Sequence, residues 1–423
     1  LRPNFKWFRN LVFLALATPA ATFAQVPFPS DLAPAATVAQ LVVAPPPIPA
    51  PAWHESRHDG ISTEFTTEFE SPLKTAVEVN NRVPLTLMLP SRRTSTERLP
   101  VVVVLHYLGA KDLRAEHALG RELNRRGVAA ALIVLPYHLT RAPEGTRSGE
   151  LAVQPDVDVL TSTMVQSARD VRRALQVLKT RDDLDPKEFG VAGISLGSLV
   201  AELVFGLEPG FVRGGFLLGG ADLAHILWTS SRVIVSRAQL RADGFTEEKL
   251  KTALAPIEPE TYLLRRRAER PEESSNALAI GGRFDSVVPP AAFRRLVQAL
   301  PNPTVITLDT GHYGGIFVQQ RLLSEVAEYF SNTSFGRPYI APKSIQAPTL
   351  RLLAQAVTPL GFDIGVGIDL FRTSAEYQTF GSFVVTARGV ELFIGQAVGS
   401  GLAVGGVAGT RGLAAGIFWS SVL

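Results

Sequence analysis

At 423 residues the chain is long enough for one large domain and a smaller companion. Hydrophobic residues make up 46% and charged residues 19%, the balance of a packed protein and not of a disordered one. The formal net charge of +3 is small, and the arginines are scattered without a basic stripe, so no nucleic-acid partner is expected. There is no cysteine, which excludes disulfides, thiolate nucleophiles, Fe–S clusters, cysteine zinc sites and a lipid-modified cysteine anchor.

The first residues bear on compartment. Arg2, Lys6 and Arg9 precede a short apolar run over 11–17, and small residues follow with a cleavage site at Thr22-Phe23-Ala24. This is the layout of a secretory signal peptide (1–24), and the run is too short to span a bilayer. An uncleaved interfacial anchor is the competing reading. Export to the periplasm or beyond is expected, with Gln25 as the mature start. The chain opens on Leu1 and not on Met, which leaves an unusual start codon and a longer parent chain both open.

Residues 25–60 form the expected linker. Up to about residue 52 they are rich in Pro and Ala and carry almost no charge, so they read as an extended tether. Two strands are predicted over 63–69 and 83–89, on either side of the turn-prone Asn80-Asn81, as an antiparallel edge. From residue 100 apolar strands alternate with helices. Strands are predicted over 101–105, 131–136, 189–194, 211–218, 277–280 and 304–308. The helices fall over 113–126, 158–180, 290–300 and 316–331, with another directly after 194. Such alternation predicts a doubly wound, mostly parallel α/β sheet over 61–331. The connection 221–276 exceeds what a crossover needs. Its helical stretches, Glu247–Leu254 and 259–270, predict a cap.

The strongest chemical signal is Gly193-Ile194-Ser195-Leu196-Gly197, a G-x-S-x-G pentapeptide. An apolar strand leads in and a helix leads out, the setting in which a serine on a sharp turn exposes its Oγ. Ser195 is therefore the candidate nucleophile, and the backbone N–H of Leu196 faces the place where an oxyanion would form. A base and an acid are required in the order Ser, Asp, His. His312 follows the last strand and is the candidate base; Asp285 follows the strand before it and is the candidate acid. Asp222 is the alternative acid, although it is also placed to cap the first helix of the insertion. Asp309 lies too close to His312 in sequence to serve it. The loop after 101–105 reads His106-Tyr107-Leu108-Gly109 and offers the second oxyanion donor, the N–H of Leu108 before that of Tyr107. His106 reads as a structural residue.

With these residues in place, the chain from about 62 to 331 resembles the α/β-hydrolase superfamily. It is most similar to the dienelactone-hydrolase, acetyl-xylan-esterase and prolyl-oligopeptidase-like branch. The segments HYLG, LPYH, GISLGS, GRFDSVVPP and GHYGG match in order and spacing. The resemblance implies hydrolysis of an ester, less often an amide, through an acyl-enzyme without a cofactor, on a small-molecule or acylated substrate. Tyr107 departs from the family pattern, where a glycine is usual. No metal is expected, since no HExxH pair occurs and the seven histidines lack ligand spacing. Tyr137-His138 and Arg141 read as pocket residues or as a satisfied structural group, and Trp228 as a pocket wall.

After a linker over 332–348, residues 349–423 are glycine-rich and low in charge. Phe362, Ile364, Val366, Ile368 and Leu370 alternate with Asp or Gly, as do Val390, Leu392 and Ile394 with other residues, which is strand periodicity. Gly401, Gly405 and Gly409 sit four apart, as on a close-packed membrane helix. The glycine load disfavours a helix. A small glycine-rich β module is expected, packed on the catalytic domain or associated with an outer membrane. The functional expectation is a carboxylic ester hydrolase working through a Ser-Asp-His triad. A serine peptidase with the same residues and a catalytically silent binding or envelope module are the alternatives.

Overall fold

The computed structural model describes residues 38–92, 98–270, 276–357, 361–372, 379–399, 402–410 and 412–422. The expected signal peptide and the first part of the expected linker lie outside them. The chain divides into two compact units. One takes in the described residues up to Asp309 together with Val318–Ile345; the other takes in Thr310–Phe317 and the chain from Gln346 onward.

The first unit begins with a short helix, α1 (Val38–Val42), and the antiparallel strands β1 (His54–His58), β2 (Ser62–Glu70) and β3 (Arg82–Pro90). There follow β4 (Leu99–Leu105), α2 (Arg114–Asn124), β5 (Ala129–Ile133), α3 (Val157–Leu178), β6 (Leu184–Ile194), α4 (Leu196–Leu207) and β7 (Phe211–Leu217). The long connection holds α5 (Leu223–Thr229), α6 (Ile234–Ala242), α7 (Glu247–Leu254) and α8 (Pro259–Glu269). The unit closes with β8 (Ala277–Gly282), α9 (Pro290–Ala299), β9 (Thr304–Asp309), α10 (Gln319–Ser334) and the edge strand β10 (Ser344–Gln346). The sheet order is β1-β2-β3-β5-β4-β6-β7-β8-β9-β10, with β5 through β9 parallel.

The apolar run of β4 shows why this sheet is central and doubly covered. Val101, Val103 and Leu105 join the core on one face with α3 and α4, while Val102 and Val104 join the core on the other face with α2 and α10. A strand that buries successive residues on both sides needs no polar alternation. Each fully buried valine or leucine contributes about 1.5–3 kcal/mol relative to exposure.

Three stretches differ from the sequence reading. Residues 38–52 belong to the expected tether, yet Leu41 is fully buried in the core, and Arg172 Nη1 donates to its carbonyl at 2.9 Å. A single leucine in a Pro/Ala-rich segment suffices where arginines on α3 collect its carbonyls. The last helix of the expected cap, α8, serves as the crossover between β7 and β8. It packs so closely on α4 that a Cβ at Gly206 would lie 2.7 Å from Tyr262 Cβ. Arg266 of α8 donates to the carbonyls of Phe205 and Phe211. The expected linker, finally, contributes β10 to the sheet edge.

In the second unit the expected glycine-rich β module is present, and it is a closed barrel. Its strands are β11 (Leu350–Val357), β12 (Gly361–Arg372), β13 (Thr379–Thr386), β14 (Val390–Gly399), β15 (Leu402–Gly409) and β16 (Gly412–Val422). All neighbours are antiparallel, and the pairing of β11 with β16 (Ala354 opposite Trp419) closes the ring and leaves no free edge.

Candidate active site

Parallel strands present their carboxyl ends along one edge, where open α/β sheets bind ligands. Ser195 follows β6 directly, and Asp285 lies three residues past β8, with β7 between these strands in the sheet. His312 lies three residues past the end of β9, the neighbour of β8.

Ser195 occupies a sharp turn between β6 and α4, at φ 54° and ψ −116°. A non-glycine residue in that region stores about 1–3 kcal/mol of strain. The strain is held by the surroundings. Ser195 N–H donates to Leu217 of β7 at 2.8 Å, and its carbonyl accepts from Ser198 N–H and Leu199 N–H in the first turn of α4. The two glycines of the pentapeptide leave no room for a side chain. A Cβ at Gly193 would lie 2.1 Å from Gly197 O, and one at Gly197 would lie 2.4 Å from Leu105 O. Strand end, helix start and β4 therefore meet backbone to backbone. The first N–H groups of α4, Leu196 among them, have no carbonyl one turn back and carry the positive end of the helix dipole.

The loop after β4 is shaped by two histidines. His106 is fully buried; its Nδ1 donates to Tyr107 O at 2.9 Å and its Nε2 accepts Leu135 N–H at 3.0 Å. His138 Nδ1 donates to Pro136 O at 2.8 Å, and its Nε2 accepts Gly109 N–H at 3.1 Å. Burial lowers both well below the usual histidine range, His106 to about 3 and His138 to about 4. Both rings are thus neutral and act as fixed struts, with Leu108 between the two anchored points. Arg141 is not a pocket residue: it is fully buried, bonded to Asp170 at 2.8 Å and to the carbonyls of Asn80 and Val134. Trp228 lies beneath the guanidinium of Arg241, 4.7 Å from its ring centre.

Asp285 is buried, and its Oδ1 accepts from Val287 N–H and Val288 N–H, both at 2.8 Å. Its loop is tied to the start of the long connection by Ser231, whose N–H donates to Ser286 O at 2.8 Å. Asp222 is employed elsewhere. It caps α5 through His225 N–H and pairs with Arg295 of α9. Asp309 pairs with Arg283 at 3.2 Å. In the second unit, His312 is largely buried, with its ring edge-on to Tyr313 at 5.3 Å. Thr310 Oγ1 anchors the start of this loop by donating to Pro348 O at 2.9 Å.

One buried group on α4 is not read from the sequence. Glu202 is fully buried on α4 and accepts from Ser198 Oγ at 2.9 Å; burial raises its carboxyl well above the usual range. The available signal was a lone acid inside the apolar stretch SLVAELVF. Among the described residues, no group of three or more His, Asp or Glu side chains is arranged to hold a metal ion.

Residues 37–212 match the family model described as alpha/beta hydrolase domain containing 18. The acetyl xylan esterase from Paenibacillus sp. R4 superposes with a TM-score of 0.50 at 15% identity, covering 64% of this chain and 86% of that one. This is the α/β-hydrolase fold. A cold-adapted esterase from an Arctic intertidal metagenomic library (TM-score 0.45, 14% identity) covers 66% of this chain and 98% of its own. An S-formylglutathione hydrolase from Agrobacterium tumefaciens (0.47, 12%) covers the same two shares. No curated protein matches the chain in sequence.

Proposed function

We propose that this chain is an exported serine hydrolase that cleaves carboxylic esters. In this reading Ser195 Oγ attacks the acyl carbon while His312 takes its proton, and Asp285 orients the imidazole and balances its charge. The N–H groups of Leu196 and Leu108 hold the oxyanion. His312 returns the proton to the departing alcohol, and water then attacks the acyl-enzyme by the same route in reverse. The supporting observation is the backbone of Ser195, held at a positive φ between two glycines that admit no side chain. A serine in that conformation on a strand-to-helix turn is the arrangement that presents its hydroxyl at the end of the strand. The choice of Asp285 over Asp222 is supported by the cap and ion pair that already occupy Asp222. The basic, apolar and small-residue order of residues 1–24 supports export.

The deciding experiment is a screen of purified protein against p-nitrophenyl esters of graded chain length, alongside aminoacyl p-nitroanilides. Ester turnover that disappears in Ser195→Ala is the expected result. Turnover of anilides alone would replace the esterase by a peptidase, and turnover of neither would leave a binding module.

A further inference from the structure

The C-terminal barrel has a largely apolar outer face, and its interior holds buried charges beside an aromatic core. A water-soluble barrel turns apolar residues inward and polar ones outward. Here Phe362, Ile364, Leu370, Ile394, Leu413 and Ile417 point outward and are 38–77% exposed. Each charged side chain described on these strands, Arg351, Asp363, Asp369 and Glu391, is buried. Arg351 forms a two-point pair with Asp369, at 2.9 and 2.8 Å, and stacks on Phe380 at 3.6 Å. Gln355 Nε2 donates to Glu391 Oε2 at 2.9 Å. Placing charges in a protein interior is costly wherever water is available outside. An apolar outer face above buried, paired charges suits surroundings other than water.

We propose that this barrel is a membrane anchor whose outer face is covered by the hydrocarbon of a lipid bilayer. Three features single out lipid from a protein partner. Exposed large apolar side chains occur on five successive strands, β12 to β16, and so run around most of the ring. A protein partner covers one side, whereas a bilayer surrounds. The ring is closed, so every strand is paired on both sides, the condition that lipid imposes on any backbone crossing it. The outward run from Phe362 to Leu370 spans about 26 Å along its strand, close to the apolar band of roughly 25 Å found on outer-membrane barrels.

Six strands are fewer than bacterial single-chain barrels ordinarily use, but lipid demands closure and not a particular number. The narrow interior is solid. Phe393 packs against Phe380 at 5.3 Å and against Phe418 at 4.7 Å. Gly405 has no room for a side chain, since a Cβ there would lie 2.2 Å from Ile394 O. The barrel is therefore an anchor and not a pore. Among the described residues no helix is long and apolar enough to cross a membrane.

The test uses the full chain, purified in mild detergent and mixed with phosphatidylethanolamine–phosphatidylglycerol vesicles before detergent removal. The protein should float with the vesicles at high salt. Vesicles containing brominated phosphatidylcholine should quench its fluorescence, and Trp419→Phe should lose that quenching because Trp419 lies on the outer face. Ile394→Arg combined with Leu413→Arg should reduce the floated fraction by about tenfold or more. If that double variant fails to fold, the Trp419 comparison alone decides. Wild-type protein that stays at the bottom of the gradient, as a soluble monomer or a defined oligomer, overturns the proposal. So does flotation with equal quenching in Trp419→Phe, which would place the lipid contact outside the barrel.

Discussion

Arg295 of α9 holds the carboxylate of Asp222, and the same carboxylate caps α5 through the N–H of His225. The residue that opens the long connection is thereby committed to fastening it. Asp285, one strand further along the sheet, uses one oxygen for its own loop. The two acids should respond differently to removal of charge. Asp285→Asn should lower turnover by about four orders of magnitude, the loss seen when a triad histidine is left in the wrong tautomer. Asp222→Asn should leave turnover within a few-fold and lower stability by no more than about 1 kcal/mol, because Asn still caps α5 and only the ion pair with Arg295 is lost. Steady-state kinetics and urea titration of both variants check this, and the reverse ranking in kcat would reassign the acid.

The serine turn should be intolerant of the smallest possible addition. At Gly197 a Cβ would sit 2.4 Å from Leu105 O and 2.6 Å from His106 O, both backbone atoms that cannot swing aside. Gly197→Ala should cost about 1–3 kcal/mol through overpacking and should depress turnover more than Gly145→Ala. At Gly145 φ is positive, unlike at Gly197, and nothing lies within 4 Å. Urea midpoints and turnover, measured together, separate the crowding at Gly197 from the positive-φ strain that applies at Gly145 alone.

Glu116 on α2 is buried with neither carboxylate oxygen hydrogen-bonded, and burial raises its pKa to about 7. An acid whose folded-state pKa exceeds its unfolded value near 4.5 favours the folded state fully below that lower value. Its contribution is then lost as pH rises through about 7. The loss amounts to about 3 kcal/mol. Glu116→Gln cannot titrate, so its stability should stay flatter between these two pH values than that of the wild type. Chemical denaturation at several pH values reads this directly, and parallel curves would show that Glu116 does not titrate in that window.

Much of the hydrolase-fold unit was legible because its signals are local. The β-branched run of β4, the strand and helix flanking Ser195 and the capping role of Asp222 each sit within a few residues of their causes. What escaped depends on distant partners. Leu41 is buried only because Arg169 and Arg172, far along the chain, bind the carbonyls around it. The edge strand β10 has three residues, too few to show a period. Barrel closure pairs β11 with β16 across the whole module, which no local pattern encodes. The glycine spacing of four in 401–409 was ambiguous for a physical reason: four residues make about one helical turn and also two full strand periods. Of the candidate site, the proposed residues are read from motif and spacing, whereas the two histidine struts and the buried Glu202 on α4 emerge only from packing.

Ester cleavage by this chain, as proposed, requires Ser195 to be a nucleophile. The most direct measurement is reaction of the folded protein with a fluorophosphonate probe, followed by mass spectrometry of its peptides. A single adduct on Ser195, absent in Ser195→Ala, is the expected result. Labelling that persists in that variant, or no labelling of folded wild type, would contradict it.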